Sequence, residues 1–172
     1  MARIAQSTRT GISLAVVLLA VGCRRYSESR LVAEVGLNGG LVAGGDFQIV
    51  LDTMVRHGGK QSLAFVVRAC SSTGGWRSPG FTNEFPAERG RTYTIGFWVM
   101  NDSAEFRMLV GGVSATRGSY ETVIRSAKRI AQWRYVEYAY HMPREFDILR
   151  LELNVLRPGT FRIDDLSISG IR

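Results

Sequence analysis

The sequence contains little cysteine and little histidine: two of its 172 residues are cysteines and two are histidines. The cysteines are Cys23 and Cys70, whereas a small domain held together by disulfides would need more of them. The histidines, His57 and His141, are too few and too loosely placed to indicate a zinc site. We therefore expect an ordinary hydrophobic core, with Cys70 as a small buried strand residue.

Motifs that carry catalysis are also missing. The sequence has no Gly-x-Ser-x-Gly elbow, and Gly59-Lys60 lacks the upstream glycine of a phosphate-binding loop because Met54 stands at that position. Glycoside hydrolysis needs two carboxyl groups about 5 to 10 Å apart across a bound sugar. Glu137 and Glu152 could form such a pair, but any two acidic residues on adjacent strands could do the same, so their presence does not indicate glycoside hydrolysis. The protein is therefore not expected to be an enzyme.

No apolar run is long enough to span a membrane. The longest, Gly11 to Val21, falls short of the roughly 20 residues that a spanning helix needs. Arg3 and Arg9 precede it, and Ala20-Val21-Gly22 places small side chains before Cys23. This order resembles the lipobox of bacterial lipoproteins, which implies cleavage before Cys23 and its acylation at sulfur and amine. Three alternatives remain open: ordinary cleavage nearby, a retained anchor, and a chance cysteine after an apolar stretch.

Positive charge is in excess, but it is not concentrated. Lysine and arginine number 22 against 15 acidic residues, a net charge of +7, and removal of residues 1–22 with their two arginines leaves +5. The arginines are scattered among acids, so no nucleic-acid partner is expected. A solvated basic surface, with at most a modest attraction to anionic lipid or acidic polysaccharide, is the expected consequence. Arg24 after the cysteine favours the outer membrane or cell surface of a bacterial envelope.

The exported chain is expected to form one all-β domain. Residues 1–22 read as the signal peptide, residues 23–36 as a tether and residues 37–172 as the domain. Turn signals separate seven segments rich in β-branched and aromatic residues, which predicts an antiparallel β-sandwich or barrel. The segments are Phe47–Leu51, Ser62–Cys70, Thr92–Met100, Glu105–Val110, Trp133–His141, Ile148–Leu156 and Phe161–Ile168. Only Glu121–Ala131 fits a helix as well as a strand.

The period of two along a strand assigns side chains to faces. Three sets are entirely apolar and are predicted to face the core: Leu149, Leu151, Leu153 and Val155; Tyr93, Ile95, Phe97 and Val99; and Leu63, Phe65 and Val67. Arg150, Glu152, Asn154 and Trp98 then point outward. Tyr135 and Glu137 share a predicted outward face, while Trp133 is expected to be a packing residue.

Five segments, in this order, resemble carbohydrate-binding modules of the CenC-like type. They are Asn38-Gly39-Gly40, the His57 to Leu63 segment, the Arg89 to Val99 segment, Trp133 before a strand, and the closing Phe161 to Ile168 segment. The resemblance covers about residues 37–172. It implies a galactose-binding-like jelly roll of two antiparallel sheets, one of which often takes an extended glycan on a concave face.

The predicted outward faces suit such a ligand, because sugar rings lie on aromatic planes and their hydroxyls pair with polar side chains. Trp98 with Arg150, Glu152 and Asn154 is predicted to bind glycan, with Tyr135 beside them and Trp76 closing one end of the groove. The alternatives are that the Ser71–Gly90 segment covers Trp98, that the charged residues are merely solvated, and that Trp76 is a loop anchor.

The resemblance also implies a structural calcium, although no cofactor is required. Asp164, Asp165 and the Gly59-Lys60 turn match the family's ligands, but Leu41-Val42 stands where the family tends to have Phe-Glu. One oxygen ligand is thus missing from the six to eight that calcium takes, and Asp46 or Glu34 would have to replace it. The alternative is that the aspartate pair caps a turn or hydrogen-bonds a strand end.

Two functions follow from the sequence. In the first, a lipid-anchored envelope protein binds polysaccharide or cell-wall glycan without catalysis. In the second, the jelly roll is a structural or protein-interaction module of the envelope, with a protein partner and no glycan. An open aromatic platform beside polar residues would favour the first.

Overall fold

The computed structural model describes residues 24–25, 36–38 and 45–171; for residues 24–25, 36–38, 76 and 171 it describes the backbone but not the side chain. The predicted signal peptide, Cys23 and Glu34 lie outside the described residues. Among the described residues, no helix has the length and apolar character needed to cross a membrane.

The described chain is built almost entirely of β-strands. Their bounds are β1 Arg24–Arg25, β2 Gly36–Asn38, β3 Asp46–Asp52, β4 Ser62–Ala69, β5 Gly80–Pro86, β6 Thr92–Asp102, β7 Glu105–Val113, β8 Gly118–Ser126, β9 Ile130–His141, β10 Ile148–Arg157 and β11 Gly159–Ile171. A short 3-10 helix, η1, covers Gly75–Arg77. Two of these strands, β1 and β2, begin before the predicted domain, and β1 is paired with β11.

The strands form two antiparallel sheets that pack face to face. The six-stranded sheet has the order β3-β4-β11-β6-β9, with β1 also paired to β11, and the five-stranded sheet has the order β2-β5-β10-β7-β8. The predicted all-β antiparallel sandwich is confirmed. All seven predicted segments lie within or overlap strands; sequence reasoning missed β1, β2 and β5 and left the β8 region open between helix and strand.

The helical alternative for Glu121–Ala131 is wrong, because β8 runs through Ser126 and β9 begins at Ile130. The pairing of β8 with β7 shifts register between Met108 and Leu109, which leaves one extra residue in β8. Val123 and Ile124 both pack against the core as a result. Two adjacent core-facing residues break the strand period and imitate helical spacing.

The core lies between the sheets and is formed by the apolar sets that the alternation predicts. Buried residues include Leu63, Phe65, Val67, Ile95, Phe97, Val99, Leu149, Leu151, Leu153 and Val155. Across the sandwich, the rings of Phe106 and Phe161 lie with their centroids 4.3 Å apart. Cys70 is half-buried against this core rather than fully buried, and burial raises the pKa of its thiol.

A glycine allows β5 to reach its place beside β10. A Cβ atom at Gly80 would lie 1.8 Å from the carbonyl oxygen of Leu153, so no side chain fits there. Glycine at this position lets the start of β5 pair closely with β10. The sequence signal for it, a glycine after a proline, is typical of loops.

The ionisation of Glu105 should make the stability of the fold depend on pH. Its side chain, 7% exposed, accepts hydrogen bonds of 2.9 and 2.6 Å from Arg125 and lies 2.8 Å from the Arg157 guanidinium. The Arg125 hydrogen bond chiefly lowers the pKa of Glu105, against the opposing effect of burial, and Arg157 lowers it further.

Because the folded-state pKa of Glu105 is lowered, its contribution to stability is present above the unfolded-state pKa and lost as pH falls through the folded-state pKa. Glu105→Gln should therefore lower the urea midpoint at about pH 7 and have little effect at about pH 3. Asp147→Asn, which removes an exposed pair with Arg89, is the control and should change little at either pH. A Glu105→Gln effect equal at both pH values would contradict this assignment.

Candidate functional site

The structure separates the side chains that the sequence predicted to share one groove. Trp98 lies on β6 of the six-stranded sheet, whereas Arg150, Glu152 and Asn154 lie on β10 of the five-stranded sheet. All four alternate with core residues and therefore sit on the outer faces of their sheets. The two outer faces look in opposite directions, so Trp98 cannot join the other three around one ligand.

Asn154 is not available to a ligand, contrary to the prediction. Its side chain is 0% exposed, its amide oxygen accepts a 2.8 Å hydrogen bond from Arg107, and its amide nitrogen donates to the carbonyl of Gly75. The segment before β5 covers it, and Val155 N donates to the Pro79 carbonyl at 2.7 Å. Trp76 lies in this covering segment, within η1, and the structure does not describe its side chain, so its predicted closure of one groove end stays a prediction.

Trp98 is half-buried and does not form an open platform. The His57 ring stacks on it at 3.7 Å and 15°, and the Tyr135 ring lies 5.3 Å away at 47°. Trp133, also half-buried, meets His57 edge-on at 6.2 Å. The residue over Trp98 therefore comes from the β3–β4 turn, and not from the Ser71–Gly90 segment that the sequence suggested.

The aspartate pair holds this turn in place. The Asp164 carboxylate, 1% exposed, accepts hydrogen bonds from the backbone N–H groups of His57 at 2.7 Å, Gly58 at 3.1 Å and Asp165 at 2.7 Å. Asp165 itself lies 2.9 Å from Nδ1 of His57. The structure thus matches the alternative in which the pair caps a turn.

These contacts do not fit a calcium site at Asp164 and Asp165. Three N–H dipoles point their positive ends at the carboxylate that would have to bind the cation. Gly59, at φ 55°, and Lys60 lie in the exposed turn, and the candidate substitute Asp46 is paired with Arg68 at 2.8 Å. Within the described residues, no three acidic, histidine or cysteine side chains are grouped as a metal site requires.

On the five-stranded sheet, Tyr120 forms an exposed aromatic platform. It is paired with Gly111 across β7 and β8 and is 41% exposed. A Cβ atom at Gly111 would lie 2.5 Å from Cδ1 of Tyr120, so the ring lies against the backbone where a side chain would otherwise stand. Arg150 Nη1 donates a 2.9 Å hydrogen bond to the Tyr120 hydroxyl, which fixes the far end of the ring.

Arg150 links this platform to Glu84. Its Nε donates to Glu84 Oε1 at 2.7 Å, and its Nη2 donates to the same oxygen. Burial by itself lowers the pKa of the Arg150 guanidinium, but Glu84 and Tyr120 reverse this effect and raise it. Arg150 therefore stays charged while its geometry is fixed from two sides.

On the same outer face, the Glu152 carboxylate is the polar group that can still accept hydrogen bonds from a ligand. It is half-buried between Thr82 and Leu109, which are paired with it on β5 and β7. Among the described residues its carboxylate has no hydrogen bond or ion pair. A carboxylate in this setting can accept hydrogen bonds from hydroxyl groups of a ligand that lies across the strands. We call Glu84, Tyr120, Arg150 and Glu152 the platform face.

Sequence reasoning predicted Arg150 and Glu152 but missed Tyr120 and Glu84. Tyr120 stood just before the segment with the helix-or-strand ambiguity, and Glu84 in the unpredicted β5. The available signal was Gly111-Gly112 directly after a predicted strand, since glycine in a strand indicates a close approach by another group. The acid pair Glu137 and Glu152 is split between the two sheets and cannot flank one glycosidic bond.

Comparison with solved structures identifies proteins of similar fold. The CBM22-2 xylan-binding domain from Paenibacillus barcinonensis Xyn10C matches with a TM-score of 0.59 and 16% identity, covering 81% of this chain and 93% of that one. A second structure, the CBM22-1–GH10 modules of Clostridium thermocellum endo-1,4-β-D-xylanase 10B complexed with xylohexaose, matches with a TM-score of 0.57 and 14% identity over 72% of this chain. This chain spans 24% of the length of that second chain.

None of the curated proteins compared matches the chain. The structural matches show that the two antiparallel sheets of this chain form the jelly-roll fold of these carbohydrate-binding modules. A protein-family model described as "Carbohydrate binding domain" matches residues 42–159, which is more than half of the sequence. The chain belongs to this carbohydrate-binding domain family.

Proposed function

We propose that this protein binds a polysaccharide, without catalysis, on the platform face of its five-stranded sheet. The observation that carries the proposal is Tyr120, whose ring lies exposed over Gly111 and is held by Arg150 beside Glu152, a carboxylate with no partner among the described residues. A pyranose ring can stack its C–H face on Tyr120 while its hydroxyls bond to Glu152 and to Glu84. Family membership supports the same function.

The charge of the platform face suggests the class of glycan. Arg150 is paired with Glu84, and Arg107 on the same outer face is hydrogen-bonded to Asn154, so the Glu152 carboxylate is the charge available beside Tyr120. This carboxylate disfavours a uronic acid next to it and accepts hydrogen bonds from a neutral sugar. A neutral, hydroxyl-rich polysaccharide is therefore the proposed ligand, and xylan, which the similar modules bind by name, is the first one to test.

We further propose that the domain is held at the bacterial envelope by lipid on Cys23, at the outer membrane or cell surface. The order of basic residues, apolar run and small residues before the cysteine supports this anchor. Glycan bound by the domain would then be retained near the cell. Loss of stable attachment to lipid vesicles in a Cys23→Ser variant tests this part of the proposal.

Tyr120→Ala tests glycan binding directly. Removing the ring should weaken binding to soluble xylan roughly tenfold, because ring stacking contributes about 1 kcal/mol or more. Affinity electrophoresis or calorimetry with xylan, mixed-linkage β-glucan and polygalacturonate measures the effect. Polygalacturonate, as an acidic polymer, should bind weakest.

The control is Tyr135→Ala, since Tyr135 is a tyrosine of nearly equal exposure, 45%, on the opposite sheet. It should leave xylan binding unchanged. Equal losses in the two variants would contradict the choice of face. Absence of binding to every polysaccharide tested would instead favour the structural or protein-interaction module.

A further inference from the structure

We propose that the outer face of the six-stranded sheet, around the β3–β4 turn, faces the lipid headgroups of the membrane. We define this turn surface as Met54, His57, Lys60, Trp98 and Tyr135. The inference extends the proposed lipid anchor at Cys23 and is independent of glycan binding. It predicts how the domain is oriented on its membrane.

The chemistry of the turn surface suits a lipid–water interface. Met54 is 87% exposed, an unusual exposure for a large apolar side chain, and Lys60 and Arg56 beside it are exposed. Next to them stand the part-exposed rings of Trp98 and Tyr135, which have an apolar body and a polar tip. Tryptophan and tyrosine concentrate at membrane interfaces for this reason, and basic residues attract anionic headgroups.

The position of the N-terminal strand points to the same surface. Arg24 pairs with Ile168 and Arg25 pairs with Ser167, on the edge of β11 just beyond Asp165, the partner of His57. Arg24 lies opposite Ile168, three residues or roughly 10 Å along β11 from Asp165. The described chain thus begins on the same sheet as the turn surface, and a lipid anchor on the preceding residue would hold this side of the domain near the membrane.

The local charges favour anionic lipid. Arg24, Arg25, Arg56 and Lys60 bring four positive charges to this part of the chain. Of the acids nearby, Asp164 and Asp165 are engaged with the turn itself, as their hydrogen bonds to it show. Glu137, which accepts a 3.2 Å hydrogen bond from Tyr135, is the opposing charge on β9. Counted from the sequence, these four basic and three acidic residues sum to +1, so headgroup attraction should be modest and should weaken as salt is raised.

This orientation leaves the platform face free. It lies on the other sheet, whose outer side looks away from the turn surface. A domain resting on the turn surface would thus present Tyr120 and Glu152 to the polymer side of the envelope.

Hydrogen exchange of the full chain, purified from bacterial membranes, tests the inference. Exchange is followed by mass spectrometry in detergent and on phosphatidylcholine vesicles with about 30 mol% phosphatidylglycerol. We expect exchange in residues 53–60 to slow at least about fivefold on the vesicles, with β8 unchanged. Met54→Ser/Lys60→Glu should abolish that protection, and the control Tyr120→Ala should retain it.

Several outcomes would overturn the inference: vesicle attachment with no protection of residues 53–60, protection of β8 instead, or no attachment at all. Weakened xylan binding in Met54→Ser/Lys60→Glu would also overturn it, by making this face a second glycan surface. In Cys23→Ser, weaker but salt-sensitive attachment with the same protected turn supports the turn surface even though the lipid is gone. Xylan binding measured in solution on the same preparations shows separately whether the glycan proposal fails.

Discussion

Asp164→Asn should destabilise the protein by about 3 kcal/mol. The buried carboxylate offers both oxygens to backbone N–H groups, with His57 and Gly58 on Oδ2 and Asp165 on Oδ1. An asparagine has one oxygen and one NH2 group, so at least one N–H would face another donor and stay unpaired. Urea denaturation at neutral pH measures the change, and tryptophan emission reports whether His57 leaves Trp98.

The matched control is Asp165→Asn. Asp165 adopts φ 48°, a backbone conformation that asparagine tolerates, and its side chain is 41% exposed. Its loss removes the ion pair with His57 and should cost under about 1 kcal/mol. If the two variants were equally stable, the turn would not depend on the Asp164 carboxylate. A calcium requirement for the stability of either protein would contradict the capping role.

The strands and their inward faces could be predicted because both depend on local pattern. Leu149, Leu151, Leu153 and Val155 alternate without a break, and burial of one face fixes such a register. The exceptions have local physical causes. Val123 and Ile124 sit at a register shift, and Gly80 is required by a neighbouring carbonyl that only the folded chain brings near.

The candidate site could be predicted only in part, because alternation tells which residues point outward but not from which sheet. Trp98 and Arg150 both point outward, yet the order of strands places them on opposite sides of the sandwich. Likewise, no local pattern shows that the Ser71–Pro79 segment folds over Asn154 or that His57 returns over Trp98. Tyr120 becomes a platform through a glycine on another strand, a pairing set by tertiary structure.

The two outer faces differ in how their polar groups are used. On the six-stranded sheet, Asp164 and His57 are occupied in holding a turn. On the five-stranded sheet, Arg150 and Glu84 hold Tyr120 in place, whereas Glu152 has no hydrogen bond or ion pair within the described part of the chain. A half-buried carboxylate without a partner costs folding free energy. Such a group is most readily explained by a ligand that it serves.

Glu152→Ala should therefore weaken xylan binding while leaving the fold intact. A charge-assisted hydrogen bond to a sugar hydroxyl contributes about 2 kcal/mol, so affinity should fall roughly 30-fold, with Glu152→Gln in between. Stability should stay within about 0.5 kcal/mol of the parent or rise, because Glu152 loses no partner in the described part of the chain. Calorimetry with xylohexaose and thermal unfolding measure the two effects.

Glu137→Ala is the control for this variant, as an exposed glutamate on the opposite sheet. It should leave xylohexaose affinity unchanged. A clear loss of stability in Glu152→Ala would show that the carboxylate supports the fold rather than a ligand. If neither affinity nor stability changed, Glu152 would have no role in binding. Glycan binding on the platform face would then depend on Tyr120 and Arg150.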